Sequence, residues 1–575
     1  MAVIVMNPRK LHFETIILFL SGIGILFFSQ NEFYLSFLFR LYPSSAWGKR
    51  SEILFDVLIT YGTIFLILSV ISFFQPQGKP SYTSQALSYF NNLAQRIRNR
   101  IKYLVHNPQE LAGFPSWVLI AVVIGVGVRT YFLSQPMRGD EAYSFLKFVN
   151  GNVQNLFNYS EPNNHILNTI LIKISTLIWN VHPATIRFPV ILAGVLSIPL
   201  LYGLAREHYS TPSSGLLAIF GFAVHPYFIL YATNARGYSI IVFFTIALAL
   251  VGMKFIIRPS KAYIFSLSCI SALGMFTIPT MALSIAGITC WLSVLLILKR
   301  QYSFWDLLTK YLVPYSLLTG LFTFILYTPV IVVNNGVTPI TSNKFVQSQT
   351  WQNFFPHLIP QMQMTLQEFN RDIPAWLIWF VTIFAGLGIY RSFKERDWNT
   401  LLLLPALLIG ASIIVFIQRI LPYPRTWIYL IPFFLLIADV GFAYIIDHTS
   451  QWIQLSAKAA VFFLATLMAI HLVATNKIVQ YPDTSAFPEA PIVAQYLTPI
   501  LNTNDHVKVS RSANVSVEFY LWYYGLPRYK GVSGELGRTF FVVKKSRYSI
   551  RDITDQPVTL LLDFGDMSLY QSVEK

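Results

Sequence analysis

Charge is what this sequence has least of. Only 12% of its 575 residues are charged, against 54% hydrophobic and 16% aromatic. Soluble domains carry about 25% charged residues, so half the usual charge is missing. A soluble chain this apolar would expose large aggregating patches, which leaves the bilayer as its natural solvent. Acidic residues are scarcer still: 26 Asp and Glu face 42 Lys and Arg, for a formal net charge of +16. The basic residues fall in short clusters between apolar runs, not on one folded face. That distribution excludes a nucleic-acid partner and suits cytoplasmic loops. Cysteine is nearly absent. Cys269 and Cys290 both lie in apolar segments without metal-ligand spacing, so the sequence offers no disulfide framework and both read as small buried hydrophobes. No small-residue cleavage site follows the first apolar run, which therefore reads as an anchor.

Long apolar runs are what the chain has instead. A spanning helix needs about 20 mostly apolar residues. Qualifying runs lie near 11–29, 52–74, 117–134, 186–204, 213–231, 239–257, 262–278, 279–298, 309–330, 374–391, 399–418, 426–446 and 458–474. The expected fold class is an α-helical polytopic membrane protein of about 13 transmembrane helices with a small C-terminal α/β extramembrane domain. Basic clusters at Arg9–Lys10, Arg96–Lys102, Arg206, Arg258–Lys261, Lys299–Arg300 and Arg391–Arg396 all belong in the cytoplasm if the short run 165–180 lies at the interface without spanning. The N-terminus is then cytoplasmic. Loops 135–185 and 331–373, the tight connections 232–238 and 419–425, and the segment from 476 all face outward.

Composition divides the chain further. Residues 1–74 form a two-helix membrane hairpin, and 75–115, with Pro76, Pro80 and many polar residues, form a basic cytoplasmic linker. Residues 116–475 form the main transmembrane bundle. Residues 476–575 contain short β-rich runs at Val507–Val509 and Val558–Leu562 and the helix-like stretch SANVSVEFYLWYYG, which predict an α/β domain on the outer face.

Four constellations gather on that face. MRGDEAYSFLKF places Asp140 and Glu141 just outside a span, where an acidic pair is costly unless solvated or paired. An acidic helix N-terminus would serve the dipole equally well. The following AYSFLKFV is expected as an amphipathic helix on the membrane surface. EPNNHILN supplies Glu161, Asn163, Asn164 and His165, groups suited to a sugar or an acceptor hydroxyl. YATNARGYS carries Asn234, Arg236 and Tyr238; LPYPRTWIYLIP carries Tyr423, Arg425 and Tyr429. Both arginines oppose the positive-inside bias. Snorkelling would place a helix-end arginine there, but so would an anionic partner, since guanidinium pairs bidentately with phosphate.

Asp140–Glu141, PNNHIL, Ala235-Arg236-Gly237-Tyr238 and Pro424-Arg425-Thr426-Trp427 together resemble the GT-C superfamily of glycosyltransferases, in particular the protein O-mannosyltransferase and lipid A aminoarabinose transferase branch. The resemblance covers roughly 115–475 and departs from the branch at Asn164-His165-Ile166, where a His-Pro-Pro-like stretch is usual. It implies a polyprenyl-phosphate-linked sugar donor, inversion at the anomeric centre, and a membrane lipid, glycan or protein acceptor. It further implies Asp140 as general base, Glu141 positioning donor or acceptor or helping to hold a divalent metal ion if one is used, and Arg236 and Arg425 with Tyr238 at the donor phosphate. Glu161, Asn163, Asn164 and His165 fall to the acceptor or sugar. The chain shows no Asp-x-Asp signature where a nucleotide-sugar enzyme would need one. Because it ends without a KDEL-like signal, a bacterial-type plasma membrane is the expected location.

Two other function classes stay open. A transporter or lipid flippase would place ionisable groups at mid-membrane depth, and Arg129 and Lys173 are the candidates. A non-catalytic scaffold would tolerate loss of Asp140.

Overall fold

The computed structural model of the chain describes residues 115–573 apart from 210, 212, 342–346, 503–504, 512 and 527–536, together with Gln95. The expected hairpin over 1–74 and nearly all of the 75–115 linker therefore lie outside the described residues.

The apolar runs from 117 onward are helical. Helix α1 (Ser116–Tyr131) leads into a short α2 (Gly139–Ser144). Then come α3 (Ile166–Trp179), α4 (Pro183–His208), α5 (Leu216–Val224), α6 (Pro226–Ala232), α7 (Tyr238–Ile257), α8 (Lys261–Thr277) and α9 (Met281–Leu298). The second half adds α10 (Val313–Val333), α11 (Trp351–Asn370), α12 (Ala375–Glu395), α13 (Leu403–Gln418), α14 (Ile431–Ile446) and α15 (Gln451–Thr475). Among the described residues, nine helical segments are long and apolar enough to cross a membrane. The chain is a multi-pass membrane protein.

The expected count differs for local reasons. The run 213–231 is not one helix. Pro226 has no N–H to continue the ladder and forces His225 into extended backbone (ψ 124°), so α5 ends there and α6 begins anew under a His225 cap. The run 262–278 is helical but only 17 residues long. Helix α3 has 14 residues and rises about 21 Å, short of the roughly 30 Å hydrocarbon core. The loop 331–373 is not plain loop: it contains α11, whose exposed Phe355, Ile359, Met362 and Leu366 give it an outward apolar side. Pro356 and Pro360 inside that helix hid it in the sequence.

The C-terminal region adds α16 (Ala490–Leu497), β1 (His506–Val509), α17 (Asn514–Tyr523), β2 (Thr539–Lys544), β3 (Val558–Phe564) and β4 (Met567–Ser572). The sheet order is β1-β2-β4-β3, with β1 parallel to β2 and the other pairs antiparallel. Its core does not stand alone. Phe519, Val517 and Leu497 share one apolar cluster with Met137, Phe145 and Val149 from the segment after α1. The segment after α2 is thus buried under α17, not spread on a membrane surface. Cys269 and Cys290 are free and half-buried, a little more open than expected.

Small residues set the closest helix crossing. A Cβ on Gly388 of α12 would collide with the Ile437 carbonyl of α14, and one on Gly441 with the Phe384 carbonyl. Without hydrophobic gain between helices in lipid, such close backbone approach is what holds them. Gly388→Ala is expected to lower stability by about 1–3 kcal/mol through overpacking. Gly386→Ala on the same helix meets nothing within 4 Å and should be neutral or slightly stabilising. Thermal unfolding of both variants in detergent checks the contrast.

Candidate active site

The neighbours Asp140 and Glu141 have opposite fates. Both sit in the first turn of α2, whose short span turns consecutive side chains about 100° apart. Glu141 points into the protein and is buried. Its oxygens accept from Arg187 of α4 twice (Nε at 3.1 Å, and Nη2), from the Ala235 N–H (2.8 Å) and from the Arg138 N–H (2.8 Å). The carboxylate is filled by protein, so it does not face a ligand in this arrangement. Asp140 points the other way. Its side chain is 24% exposed, and Oδ2 lies 4.0 Å from Arg236 Nη2.

Arg236 is buried and steadied by Asn163, whose Oδ1 accepts from Nη2 at 3.1 Å, with Ser144 Oγ and the Asn163 carbonyl each 3.4 Å from Nη1. Asn164 and His165 turn inward and hold the loop. Asn164 donates to the Leu156 and Asn158 carbonyls (2.9 and 2.8 Å) and accepts from Thr169. His165 Nδ1 accepts from the Gly237 N–H at 2.7 Å, and its ring meets Tyr238 edge-on at 5.2 Å. Gly237 is needed for that approach, since a Cβ there would lie 2.7 Å from Thr277 Cγ2 and 3.3 Å from the His165 ring. Burial, then the Arg236 and Arg425 charges, hold the His165 imidazole well below its ordinary range. Glu161 stays near the surface, accepting from the Tyr143 hydroxyl (2.6 Å) and paired with Lys147 (3.1 Å). Burial and the Glu161 hydrogen bond raise the Tyr143 hydroxyl above its ordinary range.

The connections 232–238 and 419–425 meet. Arg425 Nε donates to the Tyr238 hydroxyl at 3.0 Å, and the guanidinium lies over the Tyr423 ring. Arg425 Nη1 pairs at 3.1 Å with Asp483, a residue that sequence reasoning missed. The clue was available: Asp483 is a rare acidic residue just past the last span, the same argument that selected Asp140. Tyr231 also donates to Asp483, and Asn234 to Thr484. Buried Arg138 binds the carbonyls of Ile478, Val479, Tyr481 and Asp483. Burial draws its pKa down to about 10, with Glu141 opposing the shift. The expected boundary at 475 therefore cuts through the site.

Tyr429 lies deep in the core beside Trp427 and does not join these groups. Lys173 donates to the Val149 carbonyl (3.0 Å), and Arg129 Nη1 to the Gly125 and Ala223 carbonyls, while its buried Nε and Nη2 have no hydrogen-bond partner among the described residues. Among the described residues, no three His, Cys, Asp or Glu side chains gather to hold a metal ion. On the membrane side, a mainly apolar cavity of about 710 Å³ is lined by Phe220, Leu358, Phe369, Leu404 and Phe434, and by Leu421, Pro422 and Trp427, which flank Arg425 in the chain.

Removing one partner of a buried pair costs about 3–5 kcal/mol. Glu141→Gln is expected to approach that loss by stranding Arg187, whereas Asp140→Asn should change stability by no more than about 0.5 kcal/mol; thermal unfolding of the two separates them. His165 adds a pH dependence. Its folded pKa lies below the unfolded value of about 6.5, so its contribution is complete above that pH. It is lost as pH falls toward the folded pKa, because only the unfolded chain takes up the proton. His165→Asn should flatten stability below pH 6.5, as read from unfolding midpoints across a pH series.

The comparisons with known proteins agree with this architecture. Residues 164–332 match the family described as dolichyl-phosphate-mannose-protein mannosyltransferase. No curated protein sequence matches the chain. ArnT from Cupriavidus metallidurans bound to undecaprenyl phosphate superposes with a TM-score of 0.55 at 12% identity, covering 80% of this chain and 98% of that one. The apo form gives 0.52 with the same identity and coverage. The Archaeoglobus fulgidus oligosaccharyltransferase aligns less closely, with a TM-score of 0.41, 13% identity, and 70% and 61% coverage. This chain is a multi-pass membrane protein with the fold of ArnT, and its segment 164–332 resembles the mannosyltransferase family.

Proposed function

We propose that the chain is an inverting glycosyltransferase that moves a sugar from a polyprenyl-phosphate donor to a hydroxyl of a lipid, glycan or protein acceptor at the outer face of the membrane. The observation that carries the reading is the placement of a partly open carboxylate, Asp140, against Arg236, with a second arginine, Arg425, on a segment whose Leu421, Pro422 and Trp427 line an apolar cavity. ArnT, of the same fold, is seen bound to undecaprenyl phosphate. The cavity suits the isoprenoid tail of such a donor.

Asp140 accepts the proton of the acceptor hydroxyl as its oxygen attacks the anomeric carbon. The bond from that carbon to the phosphate oxygen breaks, and the electron pair leaves with the lipid phosphate. A single displacement of this kind inverts the centre. Arg425 and Arg236 offset the growing phosphate charge, and fixed donors at such a place are worth about 3–4 kcal/mol each. Tyr238, whose hydroxyl accepts from Arg425 Nε and whose ring faces the guanidinium, keeps Arg425 in place. On the acceptor side the proposal assigns Glu161 with Tyr143 and Lys147, which lie nearer solvent than Asn164 and His165. Asn163 orients Arg236, and no step is routed through a metal ion. The location assigned is a plasma membrane, with the N-terminus inside and the C-terminal domain outside.

The test is reconstitution with a panel of radiolabelled polyprenyl-phosphate sugars, scoring release to water and transfer to added acceptors. Wild type should turn over one donor with inversion, and Asp140→Asn should lower turnover by about 10²–10⁴-fold with folding retained. Movement of labelled lipid between leaflets without turnover would install the flippase reading. Unchanged turnover in Asp140→Asn would remove Asp140 from the chemistry.

A further inference from the structure

Arg425 is not open in this structure. Nη1 is held by Asp483 Oδ1 at 3.1 Å, while Asp483 Oδ2 accepts from the Tyr231 hydroxyl. Asp483 is itself 30% exposed and lies on a strap, residues 476–487, that returns from the end of α15 across the candidate site. The strap is pinned from beneath. Arg138 binds its carbonyls, the Gly139 N–H donates to Ser485 O at 3.0 Å, and the Asp140 N–H to Thr484 O at 3.3 Å.

Directly after Asp483, Thr484 (φ 63°) and Ser485 (φ 59°) both occupy the left-handed region. A β-branched residue such as Thr484 rarely adopts that backbone, and two non-glycine residues there in succession persist only where surroundings over-determine them. Here they turn the chain so that one side chain reaches the arginine to which the proposed function assigns the donor phosphate. Carboxylate and phosphate bind the same planar set of guanidinium donors. Asp140 already places one anion at Arg236, so a phosphate arriving beside both aspartates would leave three anionic groups sharing two arginines.

We propose that Asp483 is an intramolecular stand-in for the donor phosphate: it occupies Arg425 while the site is empty and leaves it when polyprenyl phosphate binds. The inference rests on the reading of Arg425 as a phosphate ligand. Asp483 keeps the guanidinium in register between Tyr238 and the strap, and it obliges any anion to compete for the place. Weakly held anions are thereby refused, and a lipid phosphate whose tail also fills the apolar cavity is favoured.

The test uses the full chain in lipid nanodiscs with undecaprenyl phosphate as the probe. Asp483→Asn keeps the shape and the Tyr231 hydrogen bond but removes the competing charge. It should tighten binding about tenfold, and Arg425→Ala should abolish that gain in the double variant. Equal or weaker binding by a folded Asp483→Asn protein overturns the stand-in and leaves Asp483 as a fixed support of Arg425, with the phosphate reading intact. Absence of binding by wild type and variant alike overturns the phosphate reading, and the stand-in with it. A second measurement needs no variant. The Thr484 N–H rests on Asp483 Oδ1 at 2.9 Å, so saturating lipid should speed its hydrogen exchange at least about fivefold. Unchanged or slower exchange overturns the displacement.

Discussion

One buried carboxylate organises the candidate site. Glu141 ties α2 to α4 through Arg187, to the 233–237 turn through the Ala235 N–H, and to its own helix start through the Arg138 N–H. Removing charges from water costs several kcal/mol per ion, so such a cluster adds little net stability over an apolar replacement. Its effect is geometric. With every Glu141 acceptor site engaged, α2 has one orientation, and Asp140 is forced to the side where Arg236 lies. Arg138, beside it, extends the same network to the C-terminal strap.

The large features were legible in the sequence because they follow from the solvent. Apolar runs of the right length mark spanning helices whatever their partners, and 117–134, 239–257 and 374–391 fall within a few residues of the observed helices. The strands at 507–509 and 558–562 and the helix at 514–523 were readable from their β-branched and aromatic content. Helix breaks were harder. Pro226 ends α5, while Pro189 and Pro199 pass through α4 unbroken, and packing alone decides between those outcomes.

The site was legible as a face and not as a set of roles. Charge scarcity picked out Asp140 and Glu141, opposition to the positive-inside bias picked out Arg236 and Arg425, and the structure brings the elements bearing them together. No pattern of residue types says that Glu141 turns inward, or that Asn164 and His165 hold backbone while Asn163 holds Arg236. Those assignments depend on where Arg187, Ala235 and Gly237 come to lie, contacts 46 to 94 residues away in sequence. Asp483 was missed because it lies beyond the last span, in what reads as a separate domain.

That placement bears on how the protein comes into being. A membrane chain is laid down from its N-terminus, so the bundle through α15 is complete before residues 476–487 exist. Until they arrive, Arg138 has no carbonyls from the strap and Arg425 has no carboxylate. The half-made protein carries two arginines short of these partners. The final segment is then a closing stitch, drawn across a charged seam, and the candidate site comes into register only when synthesis has passed the membrane part altogether.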